Sequence, residues 1–145
     1  MTGVRQRLAG RISVALPPAE AFRLFTPRGE QEWVHGWHPS FPATAADDTE
    51  PGTVFTTSAH GHETVWVVTG RERGRRISYA RVVRDATAAT VTVTLTASAE
   101  GTEAEVTYDL TALTDQADDE LREFAEDYPA YLRSWQDAIS QLLPQ

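Results

Sequence analysis

The chain has 145 residues, a formal net charge of −8, 41% hydrophobic and 23% charged residues, and no cysteine, which suits one folded domain, residues 1–145, with a full-sized core. Acids crowd Asp115, Asp118, Asp119, Glu120, Glu123, Glu126 and Asp127, arguing against a nucleic-acid partner, and the missing cysteines remove disulfides, thiol catalysis and thiolate metal sites. No stretch approaches the roughly 18 apolar residues of a membrane span, and residues 1–10 lack the apolar run of a secretion signal, so a cytoplasmic protein is expected.

Gln6 to Leu16 alternates loosely as a strand and meets Pro17-Pro18, where a missing N–H is harmless at a helix start. A short helix through Phe25, with Ala21, Phe22, Leu24 and Phe25 inward, ends at Thr26-Pro27 and Gly29, and a second short helical stretch runs from Glu30 to Val34. An irregular aromatic segment, GWHPSFP, follows. Strands are predicted at Val54–Ala59, His62–Thr69, Arg76–Arg84, Thr90–Ser98 and Glu103–Ala112, joined at hairpin length by His60-Gly61, Arg71 to Gly74, Asp85 to Ala88 and Glu100-Gly101; this is an antiparallel meander. In the last two strands Val91, Val93, Leu95 and Ala97, and then Val106, Tyr108 and Leu110, alternate with polar residues, so one face is buried and one wet. Leu121, Phe124, Tyr128, Leu132, Trp135, Ile139 and Leu142 then recur at spacings of three and four, predicting an amphipathic helix from near Asp118 to Leu143 whose apolar stripe needs the sheet as its partner.

Strand, two short helices, five-stranded meander and long C-terminal helix is the order of the helix-grip fold, an α+β fold whose curved antiparallel sheet wraps around the last helix. The segments ISVALPPAEAFRLFTP, EWVHGWHPSFP, PGTVFTT, TVWVV, RRISYARV, VTYDLTAL and YLRSWQDAI resemble the START-like or SRPBCC superfamily of Bet v 1-type proteins, polyketide cyclases and Hsp90-activator-like proteins. The resemblance implies a hydrophobic tunnel between sheet and helix that takes lipids, sterols, polyketides or other apolar molecules.

Residue types point to what could line such a tunnel. Trp66 shares a strand face with His62, Thr64 and Val68, and Arg81 lies in the row Ile77, Tyr79, Arg81, Val83. An arginine in an apolar row either meets a carboxylate or a ligand oxygen, or sits at an edge with its stem over apolar surface. Tyr79 and Tyr108 carry hydroxyls that need partners when buried. Phe124 and Tyr128 lie near Pro129, which either kinks the helix beside a cavity mouth or separates two helical segments. Trp33, His35, Trp37, His38 and Phe41 put five rings in a non-helical stretch, more than a surface loop normally carries, and are expected to fold over the tunnel or plug the open end of the sheet. His35, His38, His60 and His62 have spacings a zinc ion could use, but a turn and the lack of a matching carboxylate make a weak signal, and no metal is assigned. The Arg71, Arg73, Arg75, Arg76 run reads as a solvated hairpin.

No nucleophile elbow, P-loop or dinucleotide fingerprint occurs, and no cofactor is expected. The leading expectation is a binder of a small hydrophobic molecule. Its rivals are a cyclase- or aromatase-like enzyme, with His38, Tyr79, Arg81 and Tyr108 as acid, base or oxyanion partners, and an Hsp90-activator-like interaction module using the acidic helix face. The sequence decides neither turnover nor whether the chain forms a homodimer.

Overall fold

The computed structural model describes residues 4–59 and 61–143. In chain order it comprises β1 (Arg5–Val14), α1 (Pro18–Ala21), two 3₁₀ turns (Phe22–Phe25 and Gly29–Glu32), β2 (Val54–Ala59), β3 (His62–Glu72), β4 (Arg76–Val83), β5 (Thr87–Ser98), β6 (Gly101–Ala112) and α2 (Asp115–Leu142). The six strands make one curved antiparallel sheet in the order β1-β6-β5-β4-β3-β2, and α2 lies across its inner face against β1 and β6. This is the helix-grip arrangement.

The elements differ from the sequence expectation where local chemistry outweighs periodicity. The first short helix is a single α-turn that tightens into 3₁₀ geometry; in that geometry residues three apart eclipse, which puts Phe22 and Phe25 together on the buried side. The second short helix is likewise a 3₁₀ turn, Gly29–Glu32. The β3 strand runs past Thr69 because a bulge between Val68 and Gly70 re-sets its register on β4. An inserted residue reverses the side-chain alternation beyond it, so Arg71 pairs with Ile77 on the inner side of the sheet. The α2 helix starts at Asp115 because the Thr114 side chain accepts the Ala117 N–H at 3.2 Å, a cap contributing about 1 kcal/mol. It continues unbroken through Pro129, whose ring is exposed, so the carbonyl freed by the missing N–H lies on the solvent side. Of the seven stripe residues, Leu121, Tyr128, Leu132, Trp135 and Ile139 are buried and Phe124 is partly so, while Leu142, the last residue of the helix, is 38% exposed.

Both edges of the sheet are covered. Helix side chains serve β1: Asp118 Oδ1 accepts the Val4 N–H and Gln136 Oε1 accepts the Ser13 N–H. A two-bond bridge between Ser40 and Thr56 covers part of β2. The arginine hairpin is more than a solvated turn. Arg71 and Arg73 reach Asp47 Oδ2 at 2.6 and 2.7 Å, and Asp47 also accepts the hydroxyl and N–H of Thr49. These contacts pin the segment between the 3₁₀ turns and β2 onto the sheet. Hydrogen bonds from the Thr49 hydroxyl and N–H, helped by those from Arg71 and Arg73, hold the Asp47 carboxyl well below the usual carboxylate range; burial opposes them by more than either arginine bond alone contributes.

Two predictions follow from these contacts. A Cβ at Gly29 would lie 1.7 Å from the Arg23 carbonyl oxygen, a backbone atom that cannot swing aside, so Gly29→Ala should cost about 3 kcal/mol or more in urea denaturation. Asp47 is ionised in the fold at pH values where the unfolded chain, titrating near 3.9, takes up a proton. Its contribution is therefore complete above about pH 5 and lost as pH falls further. Asp47→Asn should lower stability by about 1 kcal/mol at neutral pH, a value discounted for its partial exposure, and the gap to wild type should close in acid.

Candidate functional site

Strand register places three consecutive rows of side chains on the inner face. The outermost is Thr64, Val83, Thr87 and Ala112; the next is Trp66, Arg81, Ala89 and Leu110; the third is Val68, Tyr79, Val91 and Tyr108. A cleft of about 930 Å³ opens at the outermost row, lined also by His62, Glu63, Arg84, Asp85, Thr114, Ala117 and Glu120. Same-face neighbours along a strand are about 7 Å apart, so Arg81 stands one row beyond the cleft, behind Val83, and is not part of its lining.

Arg81 is the one charged side chain of these rows. Its guanidinium carbon lies 5.7 Å from the Trp66 ring centroid and 5.6 Å from that of Tyr108. It joins none of the ion pairs among the described residues, and its Nε is buried with no hydrogen-bond partner. Two cation–π contacts contribute about 0.5–2 kcal/mol each, whereas a buried, unsatisfied donor on a charged group costs about 1–3 kcal/mol or more. The rings offset the burial of the charge without replacing the missing acceptor.

The tyrosines of the third row divide by what their hydroxyls do. The Tyr79 hydroxyl donates to the Phe25 carbonyl at 2.8 Å, tying β4 to the first 3₁₀ turn; burial, then the nearby Glu30 and Asp48 carboxylates, push it well above the usual tyrosine range. Tyr128 likewise donates to the Val106 carbonyl at 2.7 Å. Tyr108 differs, because its hydroxyl meets another hydroxyl, that of Tyr131 at 3.3 Å. Burial pushes Tyr108 well up, Tyr131 and Glu30 add to this, and the Arg81 charge works in the opposite direction.

Glu30 is the interior group the sequence did not reveal. It sits on the second 3₁₀ turn, its N–H bonded to the Thr26 carbonyl and its own carbonyl accepting the N–H groups of Trp33 and Val34. The residue is half-buried, and lost hydration pushes its carboxyl well above the usual carboxylate range. No hydrogen bond to that carboxyl forms among the described residues, while Glu32, two residues on, turns outward to an ion pair with Arg23. In GEQEW no signal distinguishes the inward acid from the outward one; only the 3₁₀ path does.

The aromatic segment separates into an inner and an outer set. Trp33 packs edge-on to Phe25 and Trp135 and donates its indole N–H to the Leu24 carbonyl. Trp37 stands edge-on to Phe55 and Trp66 and donates to the Pro27 carbonyl. Phe41 tilts on Phe55 under the Arg28 guanidinium. His35 and His38 are exposed, so of the four candidate acid–base residues Arg81 and Tyr108 face each other inside, Tyr79 is bonded to backbone and His38 is outside. His60 lies outside the described residues, and no three His, Asp or Glu side chains among the described residues converge as metal ligands. Phe124 and Tyr128 join Tyr108, Tyr131 and Trp135 in one edge-to-face cluster on the α2 side. A smaller groove of about 240 Å³ flanks Pro129, between α2 and Gly10 of β1.

The match of residues 5–134 to the model for polyketide cyclase/dehydrase and lipid-transport proteins, together with the helix-grip fold, places the chain in that SRPBCC-type family. Among solved structures it resembles an uncharacterised protein from Rhizobium leguminosarum, at 17% identity over 97% of both chains with a TM-score of 0.70. It also resembles Ara h 8.0201, a Bet v 1-like protein, at 12% identity over 95% of this chain and 99% of that one, TM-score 0.69. A third likeness is to DynU16, a protein of the dynemicin biosynthetic locus, at 22% identity over 94% of this chain and 45% of that one, TM-score 0.61. A search of curated proteins finds no match.

Because the Tyr79 hydroxyl satisfies a backbone carbonyl inside the core, Tyr79→Phe should lower stability by about 1–2 kcal/mol. Tyr108→Phe should cost less, since its partner is a partly accessible hydroxyl; paired chemical-denaturation curves check the order.

Proposed function

We propose that the chain binds a small apolar molecule, of lipid, polyketide or aromatic type, in the interior between sheet and α2. The ligand enters by the cleft at the Thr64–Val83 row and sets an oxygen-bearing end against Arg81. The observation that carries this reading is the buried, unpartnered Arg81 Nε between Trp66 and Tyr108. A cation inside an apolar row is a destabilising choice unless an acceptor arrives. A ligand oxygen would complete it, and the aromatic walls supply apolar area around it. The rings contributed by Trp37, Phe41 and Phe124 belong to this lining, with Trp33 and Tyr128 supporting it from behind; His35 and His38 lie outside it. A cytoplasmic location forms part of the proposal and rests on the cysteine-free, acidic sequence.

Turnover is the second reading, favoured by one arrangement: the Tyr108–Tyr131 hydroxyl pair lies beside Arg81. Proton donors beside a fixed cation can stabilise an enolate as it forms. DynU16's place in a biosynthetic locus supports this reading by likeness of fold.

A thermal-shift titration with fatty acids, sterols, flavonoids and aromatic polyketides tests the binding reading. A ligand at about 100 times its Kd stabilises by about 2.7 kcal/mol, several degrees for a domain of this size. The expected result is a dose-dependent shift for one chemical class, strongly reduced in Arg81→Met although that variant is as stable as wild type or more so. A flat response across the panel would overturn it.

A further inference from the structure

Arg81 is sealed at one end and open at the other. Trp66, its direct partner on β3, and Tyr108 hold the guanidinium between their rings, its carbon 5.7 and 5.6 Å from the two centroids. Nε lies in the sealed part and has no partner. The two Nη nitrogens make no hydrogen bond among the described residues either, but they are not sealed from solvent, and the residue as a whole is half-buried. On the β5 side the direct neighbour is Ala89, whose methyl leaves the fork uncovered. A guanidinium presents its donors in one plane, so the open Nη edge is where an acceptor can reach it.

The neighbouring hydroxyls add a second donor. Tyr108, in contact with the guanidinium, sets its hydroxyl 3.3 Å from that of Tyr131. Two phenols carry two protons, and the bond between them uses one. With Tyr108 as donor the spare proton belongs to Tyr131, which is half-buried where Tyr108 is buried. No carboxylate pairs with Arg81 among the described residues. What remains at this place is one uncompensated positive charge and a surplus of donors.

Resting on the ligand-binding reading above, we propose that Arg81 and the Tyr108–Tyr131 pair form a receptor for one carboxylate on an apolar ligand, with the Nη fork as charge partner and the Tyr131 hydroxyl as second donor. An ionised carboxylate accepts and never donates, and its two oxygens match the fork in shape as well as charge. An alcohol or ketone oxygen can take one of these bonds but leaves the cation uncompensated, and an amine brings a second positive charge. Phe124, half-buried and edge-on to both Tyr108 and Tyr131, puts apolar surface beside the head group, where the body of the ligand begins.

Isothermal titration calorimetry at about pH 8, where an aromatic carboxylic acid is ionised, compares 2-naphthoate with its neutral analogue 2-naphthylmethanol. Wild type should bind naphthoate about tenfold more tightly or better, as hydrogen bonds to a charged group provide. Arg81→Met should lose this preference, and Arg81→Lys, which keeps the charge without the fork, should restore part of it. Tyr131→Phe should keep the preference and bind naphthoate about fivefold more weakly than wild type, the loss of one hydrogen bond. Thermal melts of the three variants check that each is folded. An intact preference in Arg81→Met overturns the receptor, and unchanged naphthoate affinity in Tyr131→Phe overturns the part given to the hydroxyl pair. Equal binding of both compounds by wild type overturns the receptor and leaves the ligand-binding reading standing. Binding of neither also overturns the receptor, and the thermal-shift panel then decides the broader reading by itself.

Discussion

The structure depends on a mismatch of widths. Six strands at about 4.8 Å span roughly 24 Å, whereas an α-helix with its side chains is about 10 Å across. One helix therefore cannot cover the inner face of this sheet. The α2 helix takes the β1–β6 side, where Gly10 has no Cβ and lets Leu132 approach; a Cβ there would lie 2.4 Å from the Leu132 Cδ1. The remaining side, β2 to β4, is covered by residues that are not a regular element: Phe22 to Phe25, Trp37 and Phe41, pinned by indole-to-carbonyl bonds and by the Asp47 clamp. Covering by irregular backbone is demanding, because every inward carbonyl needs a donor. Here the donors are the aromatic side chains themselves.

Two covers meeting over one sheet leave a seam, and the seam is where the polar groups lie. Trp33 and Trp135 close one end of it, their ring centroids 5.2 Å apart. Toward the other end, among the described residues, no such ring pair spans from α2 to the irregular cover, and Arg81, Tyr108 and Tyr131 occupy the interval. Well-packed apolar residues in their place would be the more stable solution. The dense aromatic cluster of Tyr108, Phe124, Tyr131 and Trp135 packs behind these polar groups on the α2 side.

Much of this was legible in the sequence because the strands and the long helix bury one face each, and burial of one face is what periodicity reports. Val91, Val93 and Leu95, or Leu121, Tyr128 and Leu132, announce their face directly. Arg81 was legible for the same reason, as an exception inside a regular row. What periodicity cannot see is geometry that breaks it. The bulge at Val68–Gly70 reverses alternation and sends Arg71 inward; Thr114 starts α2 a turn before the first large apolar residue; and the 3₁₀ path decides that Glu30 faces in while Glu32 faces out. Tyr79 was correctly placed on the inner row, but that its hydroxyl is taken by a backbone carbonyl 54 residues away in sequence is a tertiary fact with no local signal.

Arg81 and the turn that carries Glu30 are held by different means. Arg81 belongs to a central strand, and its position follows from ladder hydrogen bonds to β3 and β5. Glu30 follows from one tight turn: Thr26 Oγ1 donates to the Arg23 carbonyl and accepts the Gly29 N–H, and the Thr26 carbonyl accepts the Glu30 N–H. That turn closes on a glycine because the Arg23 carbonyl occupies the place of a Cβ. Next to it, the Arg28 N–H is bound by Asp48, the immediate neighbour of the Asp47 that the two arginines of the β3–β4 hairpin hold. The second 3₁₀ turn is thus joined to the sheet through the β3 bulge that turned Arg71 inward, so that an irregularity in the strand and an irregularity in the cover support each other.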